Sequence, residues 1–340
     1  SGPPSGGGPG APRNGVLGAD YRVSNGRWQF AKVFAGENWN PDMTAPLTQP
    51  GVNVTAGEFL LAVNGVPLAA TTNVDAALAG TAGKQVTLRV GPSADGAGAR
   101  DVVVVPLASD AMLRHLAWID HNRQVVDSLS GSKLAYLYIP NTANEGYTRF
   151  NRYFFAQQDK QGAVVDERYN GGGNIADYMV YYLLKNQPFN YVTQKYGEDL
   201  PIPAGAIFGP KAMLINEWAG SGGDELPWLF RRFKVGPLVG TRTWGGLVGI
   251  GGYPDLMDGG SITAPRVAIY SYEGAYEVEN QGVAPDIEVT TDPAAWRQGR
   301  DVQLERAVQV VMDSLALHPY KKPARPPYPT WARGRTPVRP

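Results

Sequence analysis

The sequence predicts two folded parts in series: a small β-rich module, then an α/β domain. Three observations carry this. Short apolar runs punctuated by Gly, Pro and Asn fill residues 14–108. From residue 109 onward, strand-length apolar runs alternate with stretches of helical spacing. At 340 residues and 43 % hydrophobic content, the chain exceeds one average domain and can fill two cores.

The elements follow in order. Residues 1–13 are Gly, Pro and Ser with almost no large apolar side chain, which is linker composition. No initiator Met precedes them, so the chain is expected to be a piece of something longer. "GVLGADYRV", "RWQFAKVF", "GEFLLAVNGVPL", "KQVTLRVG" and "RDVVVVPLA" read as strands, with a short helix at "NVDAALAG". Asn64-Gly65 marks a tight hairpin turn. Ser109 is a candidate N-cap for a helix with Met112, Leu116 and Ile119 on one face. Then "KLAYLYIP", "GAVVDER" and "KAMLINEW" read as buried parallel strands. The helices "EGYTRFNRYFFAQQDK", "NIADYMVYYLLKN" and "DELPWLFRRFK" alternate with them. Pro227 fits the last of these if regular helix begins near Asp224, which puts the proline in the first turn. Residues 319–340 are Pro-rich and basic and are expected to lie extended along the surface or in solvent.

Composition bounds the chemistry. Thirty-one basic and 31 acidic residues cancel, so nothing favours nucleic acid or an anionic membrane as partner. The absence of cysteine excludes disulfides, thiolate catalysis and Cys-based zinc sites, and leaves the compartment undecided. No apolar run approaches the roughly 18 residues of a membrane-spanning helix. No metal site or cofactor is indicated.

Chemistry is expected beyond the carboxyl ends of the parallel strands, where two Gly-rich turns fall, "NGGGN" at 170–174 and "AGSGGD" at 219–224. Ser221 stands between the strand "KAMLIN" and a helix. A serine at such a turn has an exposed hydroxyl, small neighbours that admit a substrate, and helix N–H groups for a developing oxyanion. The other reading is a capping serine in a flexible turn. In "NGGGN" no Gly-Lys-Ser/Thr follows, so a phosphate loop gives way to an oxyanion donor facing Ser221. A base is harder to find. The three histidines are His115, His121 and His318. An order Ser221, Asp286, His318 can be drawn, but His318 starts the Pro-rich tail. A serine–lysine pair needs a lysine near "TRTWGGLVG", and the nearest one downstream of the serine is Lys234, at the end of the helix.

The stretches "NEWAGSGGDELPWLFRRFKVGPLVGTRTWGGLVGI", "YEVENQGVAPDIEV" and "GRDVQLERAV" resemble the C-terminal part of tricorn proteases, relatives of the tail-specific C-terminal-processing serine peptidases. "GVLGADY", "GENWNPDMTAPLTQPGVNV" and "GEFLLAVNG" resemble the PDZ domain of that family. The resemblance covers nearly the whole chain after the linker. It implies a PDZ-like domain at 14–108 and an α/β serine peptidase domain of the ClpP-like crotonase type at 109–318. It places the nucleophile on Ser221, oxyanion donors on Gly222 and Gly172, and the catalytic glutamate on Glu279, with Glu277 and Glu273 as near alternatives. "GVLG", Gly15, Val16, Leu17 and Gly18, falls where a PDZ loop receives a peptide carboxylate on its amides.

Gly246 stands where the tail-specific enzymes carry their lysine, which sides with the tricorn branch and its histidine base. That histidine and a companion serine lie upstream of the PDZ domain in the family, and no histidine precedes His115 here. The resemblance therefore implies an oligopeptide-cleaving serine endopeptidase whose base this chain lacks, and little activity for the chain alone. It also implies peptide substrates, a homo-oligomer in the full-length protein, no cofactor and a cytoplasmic setting, with export as the alternative. The competing functional reading is a catalytically idle peptide-binding module.

Overall fold

The computed structural model describes residues 13–40, 43–193, 196–319 and 322–328. The expected linker, save Arg13, lies outside them. Two compact units divide inside one helix, the first ending at His121 and the second beginning at Asn122.

The first unit is an antiparallel sheet. Its strands are β1 (Ala19–Ser24), β2 (Arg27–Val33), β3 (Phe59–Val63), β4 (Val66–Pro67), β5 (Val86–Gly91) and β6 (Arg100–Val104). The order is β1-β2-β3-β5-β6, with β4 folded back on β3. Asn64 (φ 49°) and Gly65 (φ 77°) make that turn, both left-handed as a tight hairpin needs. Helix α1 (Val74–Ala77) starts where the Asn73 side chain accepts the Asp75 N–H at 2.7 Å. Phe30, Leu60, Leu88 and Val90 fill the core. The long helix α2 (Ala111–Ser130) follows, and its Leu113 is buried against Phe34 and Ala45. That contact is why the first unit extends past residue 108.

The second unit is a parallel sheet. After β7 (Leu134–Tyr138) come α3 (Asn144–Phe155), β8 (Gly162–Asp166), α4 (Ala176–Leu183) and a small hairpin, β9 (Asn190–Val192) with β10 (Leu200–Ile202). Then come β11 (Lys211–Ile215), α5 (Gly222–Arg232), β12 (Leu238–Gly240), a second hairpin of β13 (Gly249–Ile250) and β14 (Pro265–Val267), and β15 (Ile287–Glu288). Helices α6 (Pro293–Arg297) and α7 (Val302–Leu317) finish the unit. Every residue of β7, β8 and β11 is buried, as their unbroken apolar runs predict. Strand order β7-β8-β11-β12-β15 follows chain order. Right-handed crossovers then put α3, α4 and α5 on one face, where they share one apolar core. Helix α7 packs on β8, β11 and β12.

One expectation changes in detail, and the tail takes the first of its two expected placements where it is described. Helix α5 winds from Gly222, so Pro227 lies in its second turn and cannot donate a backbone N–H to the Gly223 carbonyl. The tail residues 322–328 lie along the β9–β10 hairpin, where Lys322 Nζ donates to Asp199 O at 3.3 Å and Arg325 pairs with the Asp199 carboxylate at 2.5 Å. No described helix is long and apolar enough to cross a membrane.

Candidate active site

Ser221 sits at the carboxyl end of β11 as the residue opening α5, with φ 57° and ψ −119°. Left-handed φ for a residue with a side chain costs of order 1–3 kcal/mol and persists only where the surroundings impose it. Here Asp224 imposes it. Its buried carboxylate accepts four hydrogen bonds: Ser221 N–H at 2.9 Å, Thr243 Oγ1–H at 2.5 Å, Gly245 N–H at 2.7 Å and Gly246 N–H at 3.0 Å. Ser221 N–H also reaches Gly246 O at 3.1 Å. One carboxylate thus ties the serine turn to the segment after β12. Burial raises the Asp224 carboxyl above its ordinary value, and its four donors oppose that rise without cancelling it.

A second acid lies behind it. Glu167, directly after β8, is fully buried, and neither carboxyl oxygen has a partner among the described residues. Burial, then the neighbouring Asp224 and Asp166, push its carboxyl well above the ordinary value of 4.5. The two acids differ in their surroundings: among the described residues Glu167 meets no donor and Asp224 meets four.

The "NGGG" loop faces the serine. Gly172 has φ 86°, and a Cβ there would lie 2.7 Å from Ser221 Cβ and 3.0 Å from its Oγ. The loop's backbone therefore lies directly beside the hydroxyl. Buried Asn170 joins the two turns: its O accepts Gly220 N–H at 3.1 Å, and its Oδ1 accepts Gly172 N–H at 2.9 Å. The Gly172 amide is thus engaged by a side chain rather than open to a ligand. In these two Gly-rich turns, two amides have no partner among the described residues: Gly222, first in α5, and Gly173. They are close neighbours, since a Cβ on Gly222 would fall 2.9 Å from Gly173 N and 2.0 Å from Thr142 Oγ1. That Thr142 hydroxyl is buried and without a partner among the described residues.

Glu279 is tied to the same centre. Its Oε2 accepts the N–H groups of Leu247 and Val248, both at 2.7 Å, one and two residues past the Gly246 that bonds Ser221. The alternatives point elsewhere: Glu277 accepts Trp228 Nε1–H at 2.9 Å and Glu273 pairs with Arg232, both partners lying in α5 past its first turn. Asp286 is occupied by Arg231 at 2.9 Å and Leu238 N–H at 2.8 Å, and His318 caps α7, so the order Ser221, Asp286, His318 is not assembled. His121 and His318 make no side-chain hydrogen bond among the described residues. His115 stacks on Trp118 in the first unit.

Comparison with known proteins bears on this geometry. Residues 15–109 match the tricorn protease PDZ domain, and residues 133–289 match peptidase family S41. Tricorn protease homolog 1 of Streptomyces coelicolor is 38 % identical over 94 % of this chain and 30 % of its own length. The tricorn protease of Thermoplasma acidophilum is 31 % identical over 92 % of this chain and 29 % of its own. A crystal structure of the tricorn protease superposes with a TM-score of 0.81 at 30 % identity, over 89 % of this chain and 29 % of that one. The chain belongs to the tricorn protease family. It carries the antiparallel tricorn-type PDZ unit and the parallel α/β S41 serine peptidase unit, and spans about a third of the length of these relatives or less.

The tricorn-type PDZ unit departs from the expected carboxylate loop. Gly15 N–H donates to Leu78 O at 2.9 Å and Val16 N–H to Leu107 O at 2.8 Å, so two of the four amides serve the fold itself. Leu17 is buried, and a Cβ on Gly18 would lie 2.7 Å from Leu113 Cδ1 of α2. "GVLG" is thus a short bridge covered by α2, rather than four amides turned outward.

Sequence reasoning passes over Asp224, Glu167, Asn170 and Thr142. Asp224 has a readable signal, since Ser221-x-x-Asp224 is capping-box spacing. Glu167 has none, because an acid between Asp and Arg just after a strand reads as a solvated charge.

Proposed function

We propose that Ser221 is the nucleophile of a tricorn-type endopeptidase acting on oligopeptides through an acyl-enzyme. The observation that carries this is the forced φ of Ser221 at the start of α5, beside the unengaged amide of Gly222. A hydroxyl attacking a peptide carbonyl there leaves the oxyanion next to Gly222 N–H. The facing loop supplies a second amide, from Gly172 once Asn170 releases it or from Gly173, whose N–H is already unengaged. Each such donor is worth roughly 3–4 kcal/mol of transition-state stabilisation. Glu279 acts as a positioning residue through the segment 245–248, and a histidine from outside this elbow is the base. A Ser–His enzyme without its base keeps only what the oxyanion hole and binding supply.

A fluorophosphonate probe tests the reading. Labelling should be slow on this chain and rise when a histidine-bearing segment of a tricorn relative is added, and Ser221→Ala should abolish it. A Ser221 that stays unlabelled with the segment present would sink the proposal. The competing reading, an idle peptide-binding module, draws less support, because Gly15 and Val16 direct their amides into their own unit.

A further inference from the structure

We propose that the indole of Trp244 is the wall of a substrate subsite beside Ser221, and that it selects a large apolar side chain next to the cleaved bond. This rests on Ser221 being the nucleophile. Trp244 is 71 % exposed, yet its backbone is fixed. Its N–H donates to Ala219 O at 2.9 Å, two residues before the serine. On either side of it, Thr243 Oγ1 and Gly245 N–H bond the same Asp224 carboxylate that holds Ser221 N–H. The ring is thereby registered to the nucleophile through one buried group.

The glycines around it are cleared for the ring. A Cβ on Gly220 would lie 2.6 Å from Trp244 Cε3, and one on Gly246 would lie 2.4 Å from Cζ3. The indole therefore covers the residue before Ser221 and the residue whose carbonyl accepts the Ser221 N–H. Large apolar side chains are normally covered, and an aromatic held open in a site gains most when a ligand covers it. Two more exposed aromatics stand on neighbouring strand-to-helix turns: Trp218 after β11 at 69 % and Tyr169 after β8 at 51 %. The Asn216 side chain accepts both their N–H groups, at 3.3 and 2.9 Å. The exposed indole over Gly220 and Gly246 suits phenylalanine, leucine or methionine in the peptide better than small or acidic residues.

The test uses the full chain carrying Ser221→Ala, so that binding is read without chemistry. Fluorescent peptides with one variable residue in a Gly/Ser host are titrated against it. Phe and Leu peptides should bind about tenfold or more tighter than Gly or Asp peptides. Trp244→Ala should bring the Phe peptide to the Gly level, and Trp244→Phe should keep most of the preference. Equal affinities, a preference for Lys through cation–π contact, or discrimination that survives Trp244→Ala would each overturn the subsite. Fluorophosphonate labelling of the unsubstituted chain, with the histidine-bearing segment added, reads the nucleophile separately. If labelling fails while the apolar preference stands, the nucleophile reading falls and the apolar shelf does not.

Discussion

At the scale of single residues, the strained Ser221 carries the sharpest expectation. Its φ of 57° suits glycine, and the strain is maintained by Asp224 and by Gly246 O. Ser221→Gly should therefore stabilise the second unit by about 1 kcal/mol, after the larger chain entropy of glycine is deducted. Ser221→Ala keeps the Cβ and the strain, and should be near neutral. Denaturant unfolding of the two variants decides it: equal midpoints would mean the turn stores no strain. The hydroxyl and its glycines were legible in the sequence because small residues between a strand and a helix have few other uses. The carboxylate clamp was only half legible, as capping-box spacing, since the bonds to Thr243, Gly245 and Gly246 come from about 20 residues away. The state of Gly172 was not legible, because its amide is engaged by a side chain two residues back.

At the scale of elements, the loop after β8 is held by a buried ionic knot. Arg168 reaches Asp166 at 2.9 and 2.7 Å, Asp301 at 2.8 Å and Gln303 Oε1 at 3.1 Å. Tyr136 Oη–H adds a bond to Asp166 at 2.8 Å. The knot joins β7 and β8 to the start of α7, and so anchors the loop that faces Ser221. Removing one member leaves buried charge uncompensated, which costs about 3–5 kcal/mol. Arg168→Met should lower stability by that amount in thermal or denaturant unfolding, and a loss under 1 kcal/mol would show that the knot is not needed. Strands β7, β8 and β11 were readable as unbroken apolar runs. Strands β12 and β15, at three and two residues, carry no period to read. Helix α7 did carry a signal, with Leu304, Ala307, Val308 and Val311 on one face and Asp301 as its cap, and the sequence analysis leaves it unread.

At the scale of the whole molecule, buried Lys211 gives the second unit a pH signature. Its Nζ donates to Asn186 Oδ1 at 2.8 Å and Gly209 O at 3.1 Å, with no acid among these partners. Burial pushes it down to about 7 from an ordinary 10.5. Between those values the unfolded chain binds the extra proton, so Lys211 makes stability rise with pH there, by up to about 1.4 kcal/mol per unit. Below about 7 its full penalty is present. Glu167 acts in the opposite sense, favouring the folded state toward acid pH, because its folded carboxyl is raised. The difference between the parent chain and Lys211→Met, followed from pH 7 to 9, isolates the lysine; a flat difference would refute its burial as a neutral amine. Helix α2, finally, decides where the chain can be cut. Its first turns belong to the PDZ unit through Leu113, Phe34 and Ala45, and Asn122 and Val126 fall in the peptidase unit. A fragment ending at Ala108, where the strand pattern stops, forfeits a buried leucine worth about 2 kcal/mol. One ending at His121 keeps it. The separable pieces of this protein are therefore parted in mid-helix, not at the last strand.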